Sequence, residues 1–401
     1  MYIEEYYYKI NRILLMIIGL WPYQNSTLAT VQNLLISSIL GSSIYIQLIP
    51  FITHECNSIL VIDVLSYMFP TLVAVIKYYY FYMKAGVMKR LLEQVQADWN
   101  SLKDKHEREI IKSYAEIGRL ITIFATMLCY SVPLVYAMST MVPYIINIYL
   151  SHNNTYVHYV YIPIDYSVNQ EKYIYVKLLH FFAFLCIALN TVVAFAALIG
   201  LYFKHACGLL KIASYRIEHA MNVEDMRPIS PLEREYVMCI KIMRAVSIQQ
   251  KALKFTDRIM SCFTIMYFLL IIIGAISISV SMFRLVRILQ TNSDWREAFI
   301  MAMSVIGHFV YMFIANYAAQ EISDHCNDVF FAAYSSTWYV APLRIQKLIL
   351  FLLQRGAKNF TIILGGIFIG SLEGFASILS ASLSYFMVIC STQLTEEKMA
   401  K

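Results

Sequence analysis

The residues of this chain best able to do chemistry are single polar side chains inside long apolar stretches. Asp63 and Lys77 are charged residues within one stretch, and His180 and His308 are lone histidines in two others. A charge inside such a stretch is a functional candidate by default, but Asp63 and Lys77 lie near its ends, where polar groups reach water at low cost. We therefore predict that both charges are solvated and that both histidines are hydrogen-bonded core residues.

Motifs for catalysis are missing from the sequence. It contains no HExxH, GxSxG or GxGxxG pattern and no phosphate-binding loop. Its eight cysteines are scattered without a CxxC pair, which is typical of small core residues rather than of a disulfide or zinc framework. We predict that the chain is not an enzyme, and we expect neither a metal nor a cofactor.

Another polar set interrupts the last apolar stretch, which ends SASLSYFMVICSTQ at Gln393. Ser384, Tyr385 and Ser391 stand there among apolar residues. The hydroxyls can bond to carbonyls of their own helix, or one face of the helix can meet water or another subunit. The residues alone favour the first explanation.

The elements that carry these residues are predicted to cross a membrane. The chain has 401 residues, 59% hydrophobic and 14% charged, whereas soluble domains are about 45–50% apolar. Its mean hydropathy is +0.58. A bilayer core about 30 Å thick needs about 20 apolar residues. We predict seven spans, near 31–52, 59–83, 117–146, 174–203, 257–283, 298–320 and 361–390.

Charge asymmetry predicts which ends of the spans face the cytosol. The start of the chain shows no cleavable signal peptide. The connections between spans two and three, four and five, and six and seven together carry twenty Lys and Arg residues. The connections between spans one and two, three and four, and five and six carry four. Because cytosolic loops carry the excess, we predict a cytosolic amino terminus and an extracellular carboxyl terminus. Asn153, which opens a glycosylation sequon in the third-to-fourth connection, then lies outside.

Two connecting segments are predicted to be helical. Residues 231–254 contain no internal Gly or Pro and repeat apolar residues near helical spacing, which predicts a helix continuous with span five. Residues 342–354 begin with a proline and predict a second helix below the membrane. Their apolar faces pack within the chain, on the lipid surface or against another subunit.

Several short motifs lie along the chain, and they are strongest towards its end. They are Gly19-Leu20-Trp21-Pro22, Pro163-Ile164-Asp165, Ala333-Tyr334, Trp338, Pro342-Leu343 and the run from Phe375-Ala376 to Ser384-Tyr385-Phe386-Met387-Val388. With these motifs and its seven predicted spans, the whole chain resembles an insect odorant receptor, most closely from Ala333 onward. The sister gustatory receptors end in a Thr-Tyr motif, where this chain has Ser384-Tyr385.

The resemblance implies a heterotetrameric, odorant-gated cation channel in the plasma membrane of sensory neurons. A tuning subunit joins a shared co-receptor subunit there, without a G protein and without nucleic acid. The connection between spans four and five is shorter than expected for the co-receptor, so we predict a tuning subunit. The seventh span then lines the pore through Tyr385, Val388 and Ser391, because a valine ring can gate by dewetting and hydroxyls can hydrate a cation.

The resemblance also implies a small volatile ligand bound in the outer halves of four spans. Aromatic and methionine side chains with few hydroxyls favour a ligand held mainly by dispersion. The implied positions are Ser66, Phe69, Pro70 and Val73 on span two, Tyr136, Ser139, Thr140 and Pro143 on span three, Phe181, Phe182 and Leu185 on span four, and His308, Tyr311 and Met312 on span six.

The predicted architecture is an all-α membrane protein of seven transmembrane helices with a cytosolic helical anchor. A gustatory-type or self-sufficient homomeric channel remains an alternative, and a membrane transporter is a further one. The divisions are 1–30 (cytosolic segment), 31–203 (spans one to four), 204–256 (anchor extension), 257–320 (spans five and six), 321–360 (anchor helices), 361–391 (pore helix) and 392–401 (extracellular tail).

Overall fold

The protein is almost entirely helical. The computed structural model describes residues 6–24, 27–150, 174–221, 230–291, 295–358 and 360–399, and within α5 the side chains of 136 and 139–150 lie outside the description. The elements in chain order are α1 (Lys9–Ile17), α2 (Thr27–Leu48), α3 (Pro50–Thr53), α4 (Ser58–Ser101), α5 (Lys105–Leu150), α6 (Ile174–Glu218), α7 (Pro231–Gln290), α8 (Trp295–Ser335), a 3-10 turn (Trp338–Val340), α9 (Leu343–Gly356), β1 (Ile363–Leu364), β2 (Phe368–Ile369) and α10 (Leu372–Met399).

Seven helices, α2, α4 to α8 and α10, are long and apolar enough to cross a membrane, as the sequence predicts. Helices α4 to α8 have 41 to 60 residues, whereas about 20 residues cover a bilayer core. Each of the five therefore extends beyond the membrane. We call the end of the bundle that carries the connections α4–α5, α6–α7 and α8–α9 the basic end, because the helix ends beside those connections hold most of the lysines and arginines.

Helix α7 confirms the prediction that 231–254 continues into span five. It runs unbroken for 60 residues. Ser230 begins it with a capping box, in which the serine side chain accepts from the Glu233 backbone while the Glu233 side chain accepts from the Ser230 backbone. Such a box satisfies donors that the first helical turn leaves without partners. Pro231 at the first position suits a helix start.

Helix α6 is the centre of the hydrophobic core. It packs against α5, α7 and α8. Its buried side chains recur every three or four residues, which is the spacing of one helix face, and continue from the span into the basic end. The fully buried positions along this face are Leu198, Tyr202, Ala206, Leu210, Ala213 and Ile217.

The seventh span begins later than the sequence predicts. Residues 361–371 do not extend the helix; β1 and β2 form a small antiparallel hairpin before α10 begins at Leu372. Gly365 and Gly366 at its turn have φ of 60° and 76°, a region that residues with a side chain rarely adopt. The Gly365 backbone N–H also donates to Thr264 Oγ1 at 3.1 Å, so the hairpin lies against α7. The prediction of a helix over 361–371 is therefore wrong.

The second predicted helix is present as α9, Leu343–Gly356, after Pro342 at its amino-terminal cap. Ile345 and Ile349 are fully buried in the main core. Leu350 and Phe351 are exposed. Helix α9 therefore packs one apolar side on its own chain and exposes a second apolar side at the basic end.

Candidate ligand pocket and pore face

A charge network at the end opposite the basic end holds two of the residues discussed above. Arg287 Nη2 donates to both carboxylate oxygens of Asp63, at 2.6 Å and 2.7 Å. Arg284 donates to Ser66 Oγ at 2.7 Å and to Glu297 Oε1 at 2.7 Å. Asp63 is thus held by ion pairs rather than by solvent alone, and Ser66 is a buried link between α4 and α7.

The other three α4 positions line the interior of the bundle. Phe69 is half-buried beside a small apolar cluster of Ile62, Val280 and Phe283. Val73 packs against the main core. Pro70 lies inside the helix, where a proline cannot donate to the carbonyl four residues earlier.

The four predicted positions of span three stand on α5, whose backbone reaches Leu150. The side chains of Tyr136, Ser139, Thr140 and Pro143 lie outside the described part of the structure, and so does Asn153. Their assignment stays a prediction.

The predicted positions on α6 divide between the two sides of the helix. Phe181 is buried and Leu185 is half-buried, and both pack against the main core. Phe182 is exposed on the outside of the protomer. His180 Nε2 lies 2.9 Å from Ser42 Oγ of α2, which confirms the prediction that this histidine is hydrogen-bonded.

The predicted positions on α8 join the pocket region to α10. Met312 is buried in a cluster with Ile278 of α7 and Ile378 of α10. His308 lies 3.0 Å from Ser277 Oγ through Nε2 and 2.7 Å from the Ser304 carbonyl through Nδ1. His308 is therefore hydrogen-bonded, as predicted, whereas its assignment to the ligand site stays a prediction.

Lys77 lies beside Tyr311, one of the positions that the resemblance implies for the ligand, although the sequence predicts a solvated lysine. Its side chain is fully buried, and its Nζ lies 3.8 Å from the centre of the Tyr311 ring and 5.6 Å from that of Phe195. The prediction that Lys77 is solvated is wrong, because the side chain packs against these rings inside the bundle. The sequence signal for a buried lysine was its position inside the apolar stretch of residues 59–83.

Helix α10 has two different faces. Phe386, Ile389 and Cys390 pack inward against α4 and α7. Tyr385 and Val388 are 57% and 59% exposed on the outside of the protomer, and exposed Ser391 follows one turn later. The three predicted pore residues therefore share a face that the protomer itself does not cover.

The serine hydroxyls of α10 bond to their own helix. Ser384 Oγ donates to the Ser380 carbonyl at 3.0 Å, and Ser391 Oγ donates to the Val388 carbonyl at 2.9 Å. This is the arrangement that the residues alone favour.

These features agree with the comparisons with known proteins. The family model described as 7tm Odorant receptor matches residues 57–383. The chain belongs to the odorant receptor family. Among curated protein sequences, none matches this chain.

The fold of this odorant receptor is similar to two solved structures of the insect olfactory receptor OR5 from Machilis hrabei. The structure in complex with eugenol has a TM-score of 0.75 and 15% identity, covering 98% of this chain and 99% of that one. The second has a TM-score of 0.72 and 15% identity, covering 97% and 98%. The chain is thus a multi-pass membrane protein with the insect olfactory receptor fold, in a family of receptors rather than of enzymes.

Proposed function

We propose that this receptor is a tuning subunit of an odorant-gated, non-selective cation channel in the plasma membrane of sensory neurons. It works in a heterotetramer with a shared co-receptor subunit. The observation that carries the proposal is the two-faced α10, whose inward side packs on its own protomer while Tyr385 and Val388 stay exposed. Four such faces around one axis form a pore.

A second surface supports assembly. We call it the anchor patch: large apolar side chains exposed at the basic end, on α8, the 3-10 turn and α9. Lipid tails do not reach side chains outside the bilayer core, and an apolar patch of this kind marks a protein contact. We propose that neighbouring subunits cover it, with the amino terminus and this end in the cytosol. Its residues are Phe331, Tyr334, Tyr339, Val340, Leu343, Leu350 and Phe351.

We propose that the ligand is a small volatile molecule bound between α4, α5, α6 and α8. The Machilis hrabei receptor was solved in complex with eugenol, which supports binding of a compact odorant by this fold. Lys77 and Tyr311 join α4 to α8 in this region, and Val73 and Phe181 line it with apolar surface. Dispersion on such surfaces holds an apolar ligand.

The buried cluster that holds Met312 of α8 and Ile378 of α10, together with Ile278 of α7, supplies a route from ligand to pore. Met312 belongs to the proposed pocket, and Ile378 lies on α10, two to three turns before Val388. A ligand that shifts Met312 changes the packing of α10, because close-packed interiors transmit displacements. We propose that this movement widens the ring of residues at Val388, where a hydrophobic constriction excludes water in the closed state.

Expression in cells that lack odorant receptors tests the proposal. Co-expression with a co-receptor should give odorant-evoked cation currents that the co-receptor alone does not give with the same odorants. Currents from this chain alone would favour the homomeric channel. Odorant-dependent uptake without unitary currents would favour a transporter, and neither current nor uptake with surface-exposed protein would contradict the proposal.

A further inference from the structure

Lys77 is a buried amine with no polar partner in the described part of the structure. It is fully buried, and its Nζ has no hydrogen-bond or ion-pair partner among the residues that the structure describes. An ammonium group carries three donors and no acceptor. Burying such a group without compensation is costly, and polar groups of this kind inside membrane spans mark functional sites.

Aromatic rings compensate for part of that cost. Nζ lies 3.8 Å from the centre of the Tyr311 ring and 5.6 Å from that of Phe195. A ring face attracts a cation, but it does not provide an oxygen lone pair for each N–H. The amine therefore keeps donor capacity inside an apolar environment, beside a residue of the proposed ligand pocket.

We propose that Lys77 Nζ donates a hydrogen bond to an oxygen of the odorant, so that this receptor selects small apolar molecules carrying a carbonyl or carboxylate group. This inference rests on the proposed odorant-binding function and names its ligand class. The oxygen binds at Lys77 and the apolar remainder packs on the aromatic rings. Amines are disfavoured because they bring a second cation, and hydrocarbons because they leave the buried donors without an acceptor.

The position of Lys77 connects recognition with gating. Tyr311, whose ring lies under the amine, precedes Met312, and Met312 lies in one buried cluster with Ile378 of α10. A ligand oxygen that draws the amine away from the Tyr311 ring changes the packing of this turn of α8. The hydrogen bond therefore contributes to opening as well as to affinity.

The test uses the full chain with a co-receptor and matched ligands of four to ten carbons. Aldehydes and carboxylic acids carry the acceptor, whereas terminal alkenes and primary amines of equal length do not. Lys77→Met removes the donors and keeps most of the side-chain volume, and Lys77→Arg keeps donors. Lys84→Met is the matched control, since Lys84 lies two turns along the same helix with its Nζ 5.9 Å from the Tyr80 ring and outside the pocket.

Wild type should respond to the aldehyde or acid at lower concentration than to the matched alkene or amine. Lys77→Met should raise the half-maximal concentration of the aldehyde or acid by roughly 10- to 100-fold, the range expected for a hydrogen bond from a charged donor. The alkene response should stay within about threefold, and Lys84→Met should behave as wild type. Lys77→Arg should retain part of the preference.

Equal responses of wild type and Lys77→Met to aldehydes and acids would overturn the ligand class and leave the channel function standing; Lys77 would then be held by the rings alone. Binding to purified protein separates the two claims. If an aldehyde raises the unfolding temperature of wild type but not of Lys77→Met while no odorant evokes current, the channel function fails and the ligand class stands. No shift and no current with any compound would overturn both.

Discussion

Arg287 Nη2 donates to both carboxylate oxygens of Asp63, at 2.6 Å and 2.7 Å, and so ties α7 to α4 at the end of the bundle opposite the basic end. Arg284 stands beside this pair, 3.5 Å from Asp63 Oδ1 through Nε. Both guanidinium groups are at least partly buried. The carboxylate therefore compensates two cations that the fold has removed from most of their water.

Removing that carboxylate should destabilise the receptor. Asp63→Ala should lower the free energy of unfolding by about 1–3 kcal/mol, the range of hydrogen bonds to charged groups, measured by thermal unfolding in detergent. Asp257→Ala is the control because Asp257 is exposed, near the middle of α7. Arg287→Ala should lower the free energy of unfolding by less in the Asp63→Ala background than in wild type. Equal stability of the two aspartate variants would contradict the ion-pair account.

A second carboxylate, that of Asp98, is more deeply buried than that of Asp63 and should contribute more to stability. It lies 2.6 Å from Lys251 Nζ and 3.1 Å from His205 Nε2, and its side chain is 1% exposed. Asp98→Ala should cost about 3 kcal/mol, because deleting one member of a buried ion pair leaves the others uncompensated. In detergent, the Asp98→Ala variant should therefore unfold at a lower temperature than the Asp63→Ala variant. An Asp98→Ala protein as stable as wild type would show that the network does not stabilise the basic end.

The anchor patch should mediate subunit association. Phe351→Glu should weaken assembly with the co-receptor while leaving the protomer folded, since Phe351 is 70% exposed in one protomer and a charge is unfavourable in an apolar contact. Gln354→Glu, another exposed position of α9, is the matched control. Co-purification measures assembly, and thermal unfolding of the protomer checks the fold.

Leu348 and Leu352 differ from Phe351, because both pack partly against the core of their own protomer. Charged residues at those two positions should destabilise the protomer itself. If Phe351→Glu assembles as well as Gln354→Glu does, another surface holds the subunits together.

The hairpin before α10 offers a test of backbone conformation. Gly366→Ala should cost about 1–2 kcal/mol, the strain of a left-handed residue, because nothing lies within 4 Å of the added Cβ. Gly365→Ala should cost about 1–3 kcal/mol more through overpacking, because its Cβ would lie 2.5 Å from Phe268 Cδ2. Thermal unfolding of the two variants compares them directly, and equal losses would contradict the close approach to Phe268.

Most of the helical architecture is predictable from the sequence, because a long apolar segment in a membrane must satisfy its backbone hydrogen bonds internally, as a helix does. The continuous α7 was predictable from a segment without glycine or proline. The hairpin was not, since Gly365 and Gly366 stand in an apolar run, and only their backbone angles distinguish a turn from a helix. Apolar content alone does not reveal such angles.

The candidate site was predictable in outline and not in its polar contacts. Met312 and Tyr311 face the interior as the resemblance implies, whereas Phe182 points outward. The burial of Lys77 was not predictable, because the rings that cover its amine, Phe195 and Tyr311, belong to α6 and α8. The hydrogen bond between Arg284 and Ser66 was not predictable either, because the two residues are 218 positions apart in the sequence and local sequence patterns do not relate them.

The central claim is that the exposed face of α10 lines an odorant-gated pore. The direct measurement is the reaction of Val388→Cys with a water-soluble thiol reagent applied from outside, in a background with Cys56→Ser and Cys390→Ser and with co-receptor present. Ile389→Cys is the matched control because Ile389 packs inward. We expect current through Val388→Cys to change irreversibly, faster with odorant than without, while Ile389→Cys is unaffected. Unchanged current at Val388→Cys, or equal modification at both positions, would contradict the account.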